Sequence, residues 1–108
     1  MGIIEELEKK NKLKKGTYST EMYQKEFRVG QKDLETAQKS LDDGNFKWAI
    51  IQSYYSIFHA ARALLFKSGF REESHSALKI AFKALYVETG ILSRDTYNAL
   101  ERGMSLME

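Results

Sequence analysis

The amino-acid sequence predicts an all-α fold, an antiparallel up-and-down bundle of four main helices preceded by a short N-terminal helix. The 108 residues contain no proline, and helix-favouring Leu, Ala, Glu, Lys and Met are frequent. Apolar residues recur at steps of three and four, the period of a helix packed on one side, while strand-like alternation is absent. The length predicts a single domain over 1–108.

Composition excludes several classes of protein and site. The chain has no cysteine, which excludes disulfides and thiolate metal sites and leads us to expect a cytoplasmic location. Two histidines without cysteine do not make a structural zinc set, so we expect neither a metal nor a cofactor. The least charged run, Trp48 to His59, is too short to span a bilayer. A net charge of +2 is too small to indicate nucleic-acid binding by itself.

Glycine-containing polar breaks divide the chain into its five predicted helices. They fall at Gly16, at Asp42–Asn45, after Phe66 and at Gly90. The first segment, GIIEELEKKNKLKK, predicts a short helix with a basic end that suits its C-terminal dipole. Acidic residues come early in it and an apolar centre is lacking, so it does not resemble a secretory signal.

The second helix is predicted from Thr20 to Leu41. Its apolar residues follow one another at steps of four and three, which is typical of a bundle seam. Gly30 lies within this seam, although glycine costs about 1 kcal/mol relative to alanine inside a helix. We therefore expect a neighbouring helix to approach Gly30 closely. The seam consists of Tyr23, Phe27, Gly30, Leu34, Ala37 and Leu41.

The third helix, predicted from Phe46 to Lys67, is apolar on most sides, as a central helix is. With 43% hydrophobic residues, the chain has more apolar surface than a small core needs. Some large aromatic residues should therefore stay exposed and form a self-association surface, which predicts a homodimer. One stripe of this helix comprises Phe46, Ile50, Ser53, Ile57, Ala61 and Leu64, and the aromatic candidates for exposure are Trp48, Phe66, Phe70 and Tyr97.

The last two helices follow from cap signals. Ser74 or Ser76 is expected to cap the fourth helix, which Gly90 closes. Ser93 is expected to cap the fifth, whose seam runs to Met107. No breaker precedes the end of this pattern, so we expect residues to be missing after it.

Tyr55, His59 and Arg62 stand out because polar groups interrupt the apolar stretch SYYSIFHAARALLF. Steps of four and three place all three residues on one face of the third helix. There the arginine could clamp a phosphate, the tyrosine could stack on a base, and the histidine could move a proton. Lys79 and Lys83 of the returning helix are expected at the same level with few carboxylates near them, which favours an anionic nucleotide or RNA ligand.

A structural role is the alternative for the same face. In that case Tyr55 is a half-buried packing residue and His59 hydrogen-bonds within the bundle. Arg62 then pairs with a carboxylate of a neighbouring helix. The pattern alone leaves both interpretations open.

Three pieces of the sequence resemble a HEPN domain. They are Tyr54-Tyr55, the run FHAARALL that follows at 58–65, and His75-Ser76 at the start of the next helix. The resemblance covers about 23–100 and implies a helical bundle that often dimerises. Many members are encoded beside a minimal nucleotidyltransferase as a two-component, toxin–antitoxin-like pair, so the resemblance implies that partner and nearby nucleotide.

A second HEPN branch consists of metal-independent ribonucleases, marked by an arginine, four to six residues, and a histidine. Arg71 and His75 are separated by only three residues, so they remain secondary candidates. Arg62 has no histidine at 67–69, and the sequence stops before the motif could be completed from Arg102. Two hypotheses follow, a non-catalytic interaction module and an RNA-binding or RNA-cleaving protein.

Overall fold

The computed structural model describes residues 2–107 and confirms the all-α class. A short helix precedes four longer helical segments, as predicted, and a π-helical turn over Lys83–Val87 extends the fourth. The elements in chain order are α1 (Ile3–Lys9), β1 (Leu13–Lys15), α2 (Thr20–Asp42), α3 (Phe46–Lys67), β2 (Phe70–Glu72), α4 (His75–Phe82) and α5 (Arg94–Met107).

A small antiparallel sheet is the element that the sequence did not predict. β1 pairs with β2, with Lys14 opposite Arg71. Gly16 N–H donates to the carbonyl of Gly69 at 2.9 Å and extends the pairing by one residue. Each strand has three residues, too few for an alternating pattern to be visible. The sheet ties the segment after α1 to the loop between α3 and α4.

The central position of α3 is confirmed, because it contacts α2, α4, α5 and β2. Its core face matches the predicted stripe only in part, since Ala61 is buried in the core and Ile57 and Leu64 pack against it. Tyr54, Phe58, Ala61 and Leu65, at steps of four, three and four, are the residues that α3 buries in the main core. The largest fully buried side chains of the core are Phe82, Leu13, Leu65, Leu78 and Leu100.

Gly30 confirms the predicted close approach of two helices. A Cβ atom built there would lie 2.9 Å from the carbonyl oxygen of Ser56 and 3.4 Å from the backbone nitrogen of Ala60, both on α3. Ala37, one heptad further along α2, is buried as well. Small residues at these two positions let the α2 and α3 backbones pack closely.

Serine caps begin two of the helices. Ser19 Oγ accepts from Met22 N–H at 3.2 Å, and Ser74 Oγ accepts from Ala77 N–H at 3.0 Å. Of the two serines predicted to cap α4, Ser74 is therefore the cap. Ser93 directly precedes α5, and its carbonyl accepts from Thr96 N–H at 3.2 Å.

The predicted seams of α2 and α3 are exposed over much of their length. Leu34 is 58% exposed and Phe46 is 63% exposed, with Phe27, Leu41 and Ile50 in a similar state. Other helices pack on a different side of α3, so no described element covers these residues. The expected surplus of apolar surface is present, but it lies mainly on these seams.

The aromatic residues expected to form this surplus surface are mostly not exposed. Only Trp48, at 56%, is strongly exposed. Phe66 and Tyr97 are buried and Phe70 is half-buried, so naming them as surface residues was wrong. Phe66 packs on the ring of Tyr18, with 5.1 Å between centroids, in the segment that follows β1.

Candidate functional site

Arg62 is held by a buried carboxylate from the unpredicted sheet. Its Nε donates to Glu72 Oε2 at 2.7 Å, and its Nη2 lies 2.6 Å from the same oxygen. The Glu72 side chain is only 3% exposed, since it ends β2 on the side that faces α3. Charge-assisted hydrogen bonds of this length are strong, so Arg62 anchors β2 to α3.

His59 is bound by two carboxylates of α2. Its Nδ1 lies 2.7 Å from Glu26 Oε2, and its Nε2 lies 3.9 Å from Asp33 Oδ2. Glu26 also lies 3.5 Å from Arg62 Nη1. The two acids are seven residues apart on α2 and therefore share one face. Glu26, Asp33, His59, Arg62 and Glu72 form a single network, which we call the polar network.

The expectation that few acids face these cations was therefore wrong. It considered only the returning helix, whereas the carboxylates come from α2 and β2. Glu26 and Asp33 could have been found from the sequence, because their seven-residue spacing places them beside the predicted α2 seam. Glu72 could not, since its position depends on the three-residue strand pairing.

Lys79 and Lys83 do not join this face. Lys79 Nζ lies 3.8 Å from Glu101 Oε2, and Lys83 Nζ lies 5.1 Å from the centroid of the Tyr97 ring. Both partners belong to α5, so Lys79 connects α4 to α5 and Lys83 connects the π-helical turn to α5. The five candidate residues that were expected at one level are divided between two places.

If α4 began level with the end of α3 and ran back along it, His75 would lie far from the polar network. It lies closer than that. Its ring centroid is 4.7 Å from that of Phe58, which also contacts the His59 ring at 5.6 Å and lies under Arg62 Cζ at 4.5 Å. The strand β2 returns the chain along α3 before α4 begins. The two histidines, expected to be separate, therefore contact the same aromatic ring.

A polar cavity of about 430 Å³ opens beside the network. It is lined by three cationic side chains, Lys25, Arg62 and Arg71, of which Arg71 is contributed by β2 and is exposed. Among residues 2–107, Lys25 and Arg71 form no ion pair. Tyr55, 6.5 Å from the His59 ring, is exposed next to the network. The cavity is lined by Met22, Lys25, Glu26, Val29, His59, Arg62, Phe66, Arg71 and Glu72.

An apolar groove of about 610 Å³ is the larger concave feature. Its floor includes Ala49, Ser53 and Gly103, which are small enough to admit side chains from outside. Large aliphatic and aromatic residues of α2, α3 and α5 form its sides. These are Leu34 and Leu41 of α2, Phe46, Ile50 and Ile57 of α3, and Leu106 of α5.

Tyr97 of α5 lies under the Lys83 side chain, and its environment perturbs the titration of its phenol. Burial raises the pKa of the Tyr97 phenol, and the hydrogen bond and negative charge of Glu101 act in the same direction, against a smaller opposite effect of Arg94. Its hydroxyl donates to Glu101 Oε2 at 3.0 Å.

The raised pKa predicts a loss of stability in alkali. Above about pH 10 the unfolded phenol loses its proton before the folded one does, so the folded state binds more protons and the free energy of unfolding falls with pH. Tyr97→Phe should reduce this fall. Urea denaturation of the parent and the variant at increasing pH measures the fall in the free energy of unfolding. An equal fall in both proteins would contradict its attribution to Tyr97.

Neither a metal cluster nor a membrane span occurs in the part of the chain that the structure describes. Across residues 2–107, no three His, Cys, Asp or Glu side chains are grouped so that they could hold a metal ion. None of the described helices combines the length and the apolar character that crossing a bilayer requires.

Comparison with known proteins identifies the domain. The family model described as HEPN domain matches residues 23–107, which include most of α2 and all of α3, α4 and α5. The chain belongs to the HEPN domain family. This confirms the resemblance carried by the FHAARALL run and by His75-Ser76.

One curated relative aligns with most of the chain. A UPF0332 protein of Pyrococcus horikoshii is 32% identical over 74 residues, which are 68% of this chain and 52% of that protein. The chain thus matches about half the length of that relative. No solved structure matches the chain.

Proposed function

We propose that this HEPN domain is an interaction module that self-associates and binds a minimal nucleotidyltransferase in a two-component, toxin–antitoxin-like pair. The observation that carries the proposal is the apolar groove, whose sides are formed by exposed residues such as Phe46 and Ile50. Contiguous exposed apolar surface of this kind marks protein interfaces. The class of partner comes from the family resemblance.

The polar network supports a non-catalytic role. His59 and Arg62 are engaged by Glu26 and Glu72, so a phosphate would have to displace carboxylates at 2.6 and 2.7 Å to reach them. A ribonuclease needs such groups free to contact the reacting phosphate. Neither Arg62 nor Arg71 is followed by a histidine at the arginine-to-histidine spacing of the ribonucleases, which points the same way.

Co-expression with the product of the reading frame next to this chain's own tests the proposal, which requires that product to be a minimal nucleotidyltransferase. We expect the two proteins to co-purify as a complex of defined mass by native mass spectrometry. Ile50→Glu, which places a charge in the apolar groove, should abolish the complex. Trp48→Glu is the matched control, because Trp48 is also exposed on α3 but does not line the groove. Two folded proteins that elute separately would refute the partnership.

The polar cavity supports a second candidate, binding of a nucleotide or RNA phosphate. Lys25 and Arg71 line it without an ion pair among residues 2–107, and exposed Tyr55 could stack on a base. Titration with ATP and with a single-stranded RNA at low salt should then show binding that Arg71→Ala weakens. Binding that is absent in the parent, or unchanged in Arg71→Ala, would remove this candidate.

A further inference from the structure

Three large apolar residues of α2 form an exposed stripe at an exact heptad spacing. Phe27, Leu34 and Leu41 follow one another at steps of seven residues, and all three side chains are exposed. The heptad spacing keeps them on one line along a helix of 23 residues, which is about 34 Å long. Gly30 and Ala37 form the close contact with α3. The stripe lies beside that contact, along the edge of α2 that borders α3, and its side chains stay exposed. A row of apolar side chains at heptad spacing can pack against a second helix.

A row of glutamines lies next to the stripe on its outer side. Gln24, Gln31 and Gln38 are also seven residues apart and exposed; we call them the glutamine row. An uncharged row is unusual in a helix where most exposed positions outside the stripe and this row are Lys, Arg, Glu or Asp. Depletion of charge is typical of an interface core. A primary amide carries both donor and acceptor, so one glutamine row can pair with a copy of itself.

Arg28 and Glu35 lie beyond the glutamine row and set the direction of pairing. Both are exposed, and among residues 2–107 neither forms an ion pair. They are placed almost symmetrically about Gln31. A second α2 running antiparallel through that point brings Arg28 of each copy opposite Glu35 of the other. A parallel pairing would instead place Arg28 and Glu35 of each copy against the apolar stripe of the other and leave both charges unpaired.

We propose that α2 packs antiparallel against α2 of a second copy of this chain, about a two-fold axis that passes near Gln31. Leu34 then packs near Phe27 of the other copy, and Gln24 lies opposite Gln38 of the other copy. The interface is isologous, as a two-fold axis requires. It covers Leu34 and Leu41 on the α2 side of the apolar groove and leaves Phe46, Ile50 and Leu106 for a different partner. This inference rests on the self-association included in the proposed function and assigns it to one helix face.

Charge reversal tests the direction of the pairing. The parent should sediment as a dimer, and Leu34→Glu and Arg28→Glu should each shift it to monomer. Adding Glu35→Arg to the Arg28→Glu variant should restore the dimer, because opposite charges face each other again. Lys32→Glu is the matched control, since it reverses a charge on α2 away from the stripe and should stay dimeric. Thermal melts check that each variant is folded.

Disulfide trapping tests the register, because the parent has no cysteine. Gln31→Cys alone should form an intermolecular disulfide, since the two-fold axis brings the two copies of position 31 together. Gln24→Cys should not, because its own copies lie about 20 Å apart at 1.5 Å per residue. Mixing Gln24→Cys with Gln38→Cys should give the heterodimeric disulfide.

Two failures can be told apart. A parent that is monomeric at every concentration overturns self-association and with it this inference, whatever the result with the nucleotidyltransferase. A parent dimer that survives Leu34→Glu and Arg28→Glu overturns the α2 face alone and leaves the proposed interaction module standing. Cross-linking by Gln24→Cys but not by Gln31→Cys overturns the antiparallel register.

Discussion

Arg62→Ala is expected to lower the free energy of unfolding by about 3–5 kcal/mol, the cost of breaking a buried ion pair from one side. The Glu72 side chain is 3% exposed, and Arg62 binds its Oε2 through two nitrogens. Its Oε1 is buried without a hydrogen-bond partner among the described residues. Removing the guanidinium therefore leaves a buried carboxylate with neither charge nor hydrogen-bond compensation.

Urea denaturation of the variant and two controls measures this effect. Arg71→Ala removes the exposed arginine that precedes Glu72 on β2. It should change the free energy of unfolding by no more than about 0.5 kcal/mol. Adding Glu72→Gln to Arg62→Ala should recover part of the loss, because the buried charge is then gone. An Arg62→Ala protein as stable as the parent would mean that Arg62 is held for a ligand and not for the fold.

The fold class was predictable because it depends on helical periodicity, which is local. Helix bounds, the central place of α3 and the close approach at Gly30 all follow from apolar spacing and breaker residues. The β1–β2 pairing joins residues 13–15 to residues 70–72. Three-residue strands carry no periodic signal, so such a contact can be known only from the folded chain.

The candidate face was predictable as a set of residues on α3, whereas its partners were not. Tyr55, His59 and Arg62 lie beside one another as the spacing requires. Their counter-charges depend on how α2 rotates against α3 and on where β2 ends, both of which are properties of tertiary packing. Lys79 and Lys83 were misplaced for the same reason, since β2 shifts the start of α4 along α3.

The α2–α3 hairpin separates two kinds of surface. One side carries the polar network, with Ser40 Oγ donating to Gln52 Oε1 at 2.7 Å further along it. The other side carries Phe27, Leu34 and Leu41 with Phe46 and Ile50, all exposed. The predicted seams were thus real amphipathic faces. What the sequence could not show is that the rest of the chain packs on the opposite side of α3.

Gly30→Leu should destabilise the protein by about 3 kcal/mol, at the upper end of the usual cost of overpacking. A Cβ at this position already lies 2.9 Å from the Ser56 carbonyl oxygen and 3.5 Å from His59 Cβ, so a longer side chain must push α2 away from α3. That movement also separates His59 from Glu26 and Asp33, so the polar network is lost together with the packing.

Two matched substitutions separate the clash from helix propensity. Lys32→Leu introduces the same side chain on an exposed position of α2 and should change the free energy of unfolding by no more than about 0.5 kcal/mol. Gly30→Ala should cost less than Gly30→Leu, because alanine gains about 1 kcal/mol of helix propensity over glycine and adds only the Cβ. Chemical denaturation ranks the three variants. A Gly30→Leu protein as stable as Lys32→Leu would show that α2 does not pack on α3 through Gly30.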